Sequence, residues 1–129
     1  MRIEYKTQPQ QPEELLTYLG VDIYSRGRQY LGICFVEIKN GTAPGVELYE
    51  RVARLYNTTA AQVVMCSQRA LCRAQKKQPL KWEEIFPALN VERAGLTLFL
   101  RHATAWLRHN RIVSFHLGHE KYRMPVPKK

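Results

Sequence analysis

Residues 48–75 read LYERVARLYNTTAAQVVMCSQRALCRAQ, and this stretch decides the fold. Leu48, Val52, Leu55 and Tyr56 recur at three-four spacing, while Glu47, Glu50, Arg51 and Arg54 fall off that stripe, which predicts an amphipathic helix. Glu47–Arg51 and Glu50–Arg54 stand in the favourable i,i+4 order. Tyr56-Asn57-Thr58-Thr59 then breaks the period. Asparagine tolerates left-handed backbone, and Thr58 is placed to cap a second helix. That second helix, Thr59–Gln75, turns Val63, Cys66, Ala70, Leu71 and Ala74 inward, and basic residues gather at and beyond its end, where they suit the negative pole. Two helices across a tight break are the sequence form of a helix-turn-helix. In such a unit the first helix and the turn hold the second proud of the domain, so that its N-terminal residues enter a DNA major groove.

Outward from this unit the chain continues to read as helix. Pro12 and Glu13-Glu14 open a short helix, Glu13–Leu19, with Gly20 at its end. Ser25 is an N-cap for a helix to about Lys39, with Tyr30, Ile33 and Cys34 on its apolar side and Gly32 as a place for close helix approach. Thr42 is expected to cap the helix that carries Leu48. Downstream, Lys81–Phe86 is a short helical turn closed by Pro87. A last helix from Val91 to Asn110 carries Leu96, Phe99, Leu100, Ala103, Trp106 and Leu107 on one stripe. Over 112–126 the period changes: Val113, Phe115 and Leu117, then Tyr122, Met124 and Val126, alternate around Gly118, which predicts a β-hairpin. The expected organisation is a flexible lead-in over 1–12, a mainly α bundle of about six helices over 13–110, and a C-terminal extension over 111–129.

Composition narrows the function. The chain has 129 residues, 45% of them hydrophobic, enough for one domain with a real core. It has no apolar run of membrane-spanning length and no apolar leader, so a cytoplasmic location is expected. Cys34, Cys66 and Cys72 lack the spacing of a zinc module and are expected to be reduced and buried. Net charge is +9 and lies on one side of the sequence. Residues 1–45 balance five Lys/Arg against five Asp/Glu, whereas residues 46–81 carry seven against two and residues 82–129 carry eight against four. A localised basic excess points to a polyanionic partner, nucleic acid first.

The strings Leu48-Tyr49, Val52-Ala53, Tyr56-Asn57-Thr58-Thr59-Ala60 and Val63 resemble the C-terminal DNA-binding effector domain of the sporulation response regulator stage-zero sporulation protein A. The likeness extends upstream through Leu15-Leu16, Leu19-Gly20-Val21 and Arg26-Gly27-Arg28-Gln29-Tyr30-Leu31, and downstream to the last helix. The resemblance implies a compact six-helix bundle that binds double-stranded DNA sequence-specifically, in a low-GC Gram-positive bacterium or its mobile elements, as a transcriptional regulator or accessory factor. The family domain comes after a phosphorylatable receiver, and the dozen residues before the first helix here are too few to form one. Half-site reading by such domains uses two copies, which makes a homodimer an expected arrangement.

The recognition positions depart from the family. Gln62, Val64, Met65, Gln68 and Arg69 occupy them; of these only Arg69 is charged, and it stands where the family has histidine. Three readings are open. Glutamines at 62 and 68 would read adenine, Val64 and Met65 would meet thymine methyls and Arg69 would reach guanine or phosphate, with Thr58, Thr59, Arg73, Lys76 and Lys77 holding phosphates. Alternatively, Val64 and Met65 pack against a protein partner on a fold that has lost DNA recognition. In the third reading the chain's own hairpin covers them. The hairpin would otherwise serve as a wing, with Lys121 and Arg123 at phosphate, or pair with its twin in a dimer.

Catalysis and metal binding are not expected. His102 and His109 are two turns apart, about 10 Å at a rise of about 1.5 Å per residue, too far for one ion. His116, His119 and Glu120 fall short of the four well-spaced ligands of a structural zinc site. Glu13-Glu14 and Glu83-Glu84 are adjacent pairs that face different ways on a helix, and no phosphate loop, dinucleotide fingerprint or nucleophile elbow is present.

Overall fold

The structure is a computed structural model that describes residues 9–122, with side chains described for 9–110. The described residues form six helices and no strand: α1 (Pro12–Tyr18), α2 (Arg26–Lys39), α3 (Val46–Leu55), α4 (Ala60–Lys77), α5 (Pro79–Ile85) and α6 (Val91–Tyr122). None of them is long and apolar enough to cross a membrane.

The helix ends are set by local chemistry. The Glu14 carboxylate reaches back to accept from the amides of Gln10 (2.9 Å) and Gln11 (3.3 Å), which fixes the start of α1. Asn110 Nδ2 donates to the carbonyl of Pro9, so residues 9–11 of the expected flexible lead-in are tied to the bundle, while residues 1–8 lie outside the described residues. Helices α1, α2 and α3 close alike. The residue after the C-cap turns left-handed (Gly20 φ 87°, Gly41 φ 110°, Asn57 φ 54°), and the amide beyond it bonds back into the last turn, as in Val21 to Leu16 (2.9 Å), Thr42 to Glu37 (3.0 Å) and Thr58 to Ala53 (2.9 Å). This corrects two expected caps. Thr42 closes α2 rather than opening α3, which starts at Val46 behind Gly45; Ala43 is also biased to extended backbone by Pro44. Thr58 closes α3, and the cap of α4 is Thr59, whose hydroxyl accepts from the Gln62 amide at 3.1 Å. Ser25 caps α2 as expected, accepting from the Arg28 amide at 3.1 Å.

α4 is the hub, packed against α2, α3, α5 and α6. Its inward face is Val63, Ser67, Ala70, Leu71 and Ala74, so Ser67 takes the buried place expected of Cys66, which is half-exposed. Small residues on this face admit α2 very closely. A Cβ on Gly27 would lie 2.3 Å from the Cys66 carbonyl oxygen and 2.8 Å from the Ala70 Cβ. The close approach thus belongs to Gly27 and not to Gly32, whose added Cβ would meet only the Glu13 carboxylate. On α3 the buried residues are Leu48, Tyr49, Val52 and Ala53, while Leu55 is 64% exposed, a correction to the expected stripe. The true stripe lies one residue to the side because Tyr49 reaches α6, its hydroxyl 2.6 Å from Thr97 Oγ1.

Two further locks complete the bundle. Buried Arg28 donates to the Val21 carbonyl (2.7 Å), Thr17 Oγ1 (2.8 Å) and Glu13 Oε1 (3.0 Å), joining α1 to α2. Trp82 on α5 is fully buried, donates to the Leu19 carbonyl at 3.0 Å and packs against the rings of Phe86 and Phe99. α6 is broken at Gly95 (φ 87°, ψ 169°), so Val91–Ala94 is one turn and the long run begins at Leu96. Beyond Asn110 the backbone stays helical to Tyr122, so the expected first strand of the hairpin does not form. Extending an existing helix adds one hydrogen bond per residue, whereas a lone two-stranded ribbon is marginal in water. The rest of the expected hairpin, from Arg123 on, lies outside the described residues.

Urea unfolding tests the close crossing. Gly27→Ala is expected to cost about 3 kcal/mol by overpacking. Gly32→Ala is expected to gain up to about 1 kcal/mol from helix propensity. Equal midpoints for the two variants would contradict this packing.

Candidate nucleic-acid interface

α3 and α4 are joined by residues 56–59, and the geometry of that joint decides which side of α4 looks outward. Asn57 holds the left-handed position, its amide bonded to the Arg54 carbonyl at 3.3 Å. Tyr56 leans edge-on against Tyr30 of α2, with ring centroids 5.1 Å apart, and fixes the turn to the bundle. Thr59 then starts α4 with its side chain spent on the cap, and Thr58 is half-buried.

The outward face of α4 is a continuous row. Gln62, Met65, Arg69, Arg73 and Lys76 are all exposed and recur at three-four spacing, with Lys77 beside the last. The row covers about 20 Å at about 1.5 Å per residue. No carboxylate occurs anywhere in α4, and none of Arg69, Arg73, Lys76 and Lys77 forms an ion pair with another described residue. Arg51 of α3 is paired instead, lying 3.8 Å from both Glu37 and Glu47.

Two expected reading residues are placed otherwise. Gln68 is half-buried, and its Nε2 donates to the Val91 carbonyl at 2.6 Å, so its amide ties α4 to α6 and does not join the outward row. Val64 is half-buried against the core and lines a shallow apolar groove of about 500 Å³ with Val46, Tyr49, Ala60, Ala61 and Met65. Gln62, Met65 and Arg69 remain together on the open face. Sequence reasoning missed Gln75, which donates to the Leu89 carbonyl (2.7 Å) and accepts from the Val91 amide (3.0 Å). A glutamine seven residues after another, on the same side of the helix, was the available signal.

The paired carboxylates are structural. Glu13 holds Arg28, Glu14 fixes the start of α1, Glu84 accepts from the Tyr18 hydroxyl at 2.7 Å and Glu83 faces the Ala88 amide at 3.4 Å. Bonding to the Glu84 carboxylate, with burial behind it, raises the Tyr18 phenol above its usual range. No cluster of three metal-ligating side chains occurs among the described residues. No known protein family, curated protein or solved structure matches the chain.

Of the three cysteines expected to be buried, only Cys34 on α2 is; Cys66 and Cys72 on α4 are half-exposed. All three are free, and burial pushes Cys34 up to about 12. Burial, then the Glu92 charge, raises Cys72 as well. Because the thiolate is the nucleophile and must be reached, a thiol reagent at pH 8 is expected to modify the half-exposed Cys66 and Cys72 in the folded chain and Cys34 only on unfolding. The masses of the labelled protein before and after denaturant check that order.

Proposed function

We propose that this chain is a double-stranded DNA-binding module, a transcriptional regulator that uses α3, the 56–59 turn and α4 as a helix-turn-helix and lays α4 along the major groove. The observation that carries this reading is the outward row of α4: Gln62, Met65 and Arg69 and then Arg73, Lys76 and Lys77, exposed and without a carboxylate among them. The resemblance of Tyr56–Ala60 and its flanks to the sporulation-regulator effector domain supports the same reading. Gln62 and Arg69 match the donor and acceptor patterns of base edges, and Met65 suits a thymine methyl. Arg73, Lys76 and Lys77 hold the backbone further along, where contacts set register without carrying sequence. Thr58 and Thr59 serve by shaping the turn that brings the start of α4 to the phosphates.

A second reading rests on the groove of Val46, Tyr49, Val64 and Met65 beside that row, whose lining is nearly all apolar. Under it, α4 presents Met65 to a protein partner. Met65→Glu separates the two, because it abolishes a protein complex under the second reading and impairs DNA retention under the first.

Selection from random duplex DNA is expected to yield a consensus, and binding to it is expected to weaken steeply with salt. The double variant Lys76→Gln/Lys77→Gln is expected to weaken all sequences alike and reduce the salt slope by about 2. Gln62→Ala is expected to relax the preference at one base position. Absence of binding to any fragment at low salt would sink the DNA reading.

A further inference from the structure

The connection between α5 and α6 stands off from α6 and leaves a groove of about 880 Å³ that the DNA reading does not use. Its floor is aromatic and apolar: Phe86 and Trp106 meet edge to face at 6.4 Å, with Leu98 exposed beside them. Leu98, His102, Trp106 and His109 share one face of α6, so the trough runs about 16 Å at about 1.5 Å per residue. Arg93 stands in the first turn of α6, the two imidazoles line the far side, and no carboxylate borders the groove among the described residues. Pockets for small ligands combine an apolar body with a few polar groups that fix orientation. Here Arg93 is the fixed charge and favours an anion, and a guanidinium holds a carboxylate in two parallel hydrogen bonds.

The wall of the groove is also bonded to α4. Its Leu89 carbonyl accepts from Gln75 at 2.7 Å, and Val91, where the wall ends, is held by Gln75 at 3.0 Å and Gln68 at 2.6 Å. Ala88, at the near end of the wall, sits at φ 66°, a conformation that costs a non-glycine residue energy. We infer that this groove binds a small amphipathic carboxylate, with an aryl or acyl body on Phe86 and Trp106 and its charge at Arg93, and that occupancy is felt at α4 through Gln75. A ligand wedged against the wall changes the strain on these three hydrogen bonds, and they end on the helix whose other face carries the basic row.

The test uses the full chain and four probes: indole-3-acetate and decanoate, with indole-3-acetamide and decanol as their uncharged counterparts. Calorimetry and tryptophan fluorescence are expected to give one saturable site for at least one acid, with its neutral counterpart at least about tenfold weaker. Arg93→Gln, at an exposed position, is expected to lose about tenfold for the acid and nothing for the neutral probe. Amide exchange over Gln68–Gln75 is expected to slow with the bound acid in the parent chain and to stay unchanged in Gln75→Ala, whose melting curve serves as the folding control. Equal affinity for acid and neutral probe, or saturation by none of the four at millimolar concentration, overturns the site. Saturation with no exchange change on α4 overturns the coupling. No readout involves DNA, so failure here is distinct from failure of DNA binding.

Discussion

The bundle depends on how near α2 comes to α4. With a Cβ on Gly27 placed 2.3 Å from the Cys66 carbonyl oxygen, no side chain fits there, and the two backbones cross in direct contact. That proximity requires a small residue at Ala70 on the facing side of α4, because a larger one would push the helices apart. Once α2 is seated, Arg28 at its start gathers Val21, Thr17 and Glu13, and α1 is fixed by the same helix. A buried guanidinium is tolerable only with such partners, since an unpaired buried charge is expensive. Tyr30, two residues further, receives Tyr56, and so the turn ahead of α4 takes its angle from α2 as well.

Much of this was legible in the sequence where a local rule suffices. Ser25 as a cap, Gly20 as a helix end and the stripe of α6 from Leu96 to Leu107 are given by side-chain chemistry and periodicity alone. Errors came where two rules claimed one residue. Thr42 and Thr58 are good caps by type, but each lies directly after a left-handed residue and is consumed in closing the previous helix. Over 112–117 an alternating pattern competed with an existing helix, and propagation won without a proline or glycine to stop it. Gly32 was the plausible crossing point by propensity, yet the crossing is at Gly27, because only the pairing of helices reveals which glycine is covered.

The candidate interface was half legible. Residue type and charge located Gln62, Met65, Arg69, Arg73, Lys76 and Lys77, all of which face outward. Gln68 and Val64 could not be separated from them, because α6 lies far along the chain and only its docking turns position 68 into a structural contact. Gln75 escaped for the same reason. The two glutamines form a polar seam between α4 and the start of α6: Gln75 takes the Leu89 carbonyl and the Val91 amide, which no helix starting at Val91 satisfies internally, and Gln68 takes the Val91 carbonyl, whose helical partner would have been the broken Gly95.

The close crossing of α2 on α4 also sets where this chain tolerates substitution. Outward positions such as Met65 and Arg69 carry no packing role, and exposed substitutions of this kind cost little stability, so they diverge freely. Gly27 has almost no admissible alternative, and a residue larger than alanine at position 70 would press on it. Tolerance to change in this chain is therefore lowest at an inconspicuous glycine and highest among the charged residues that draw the eye.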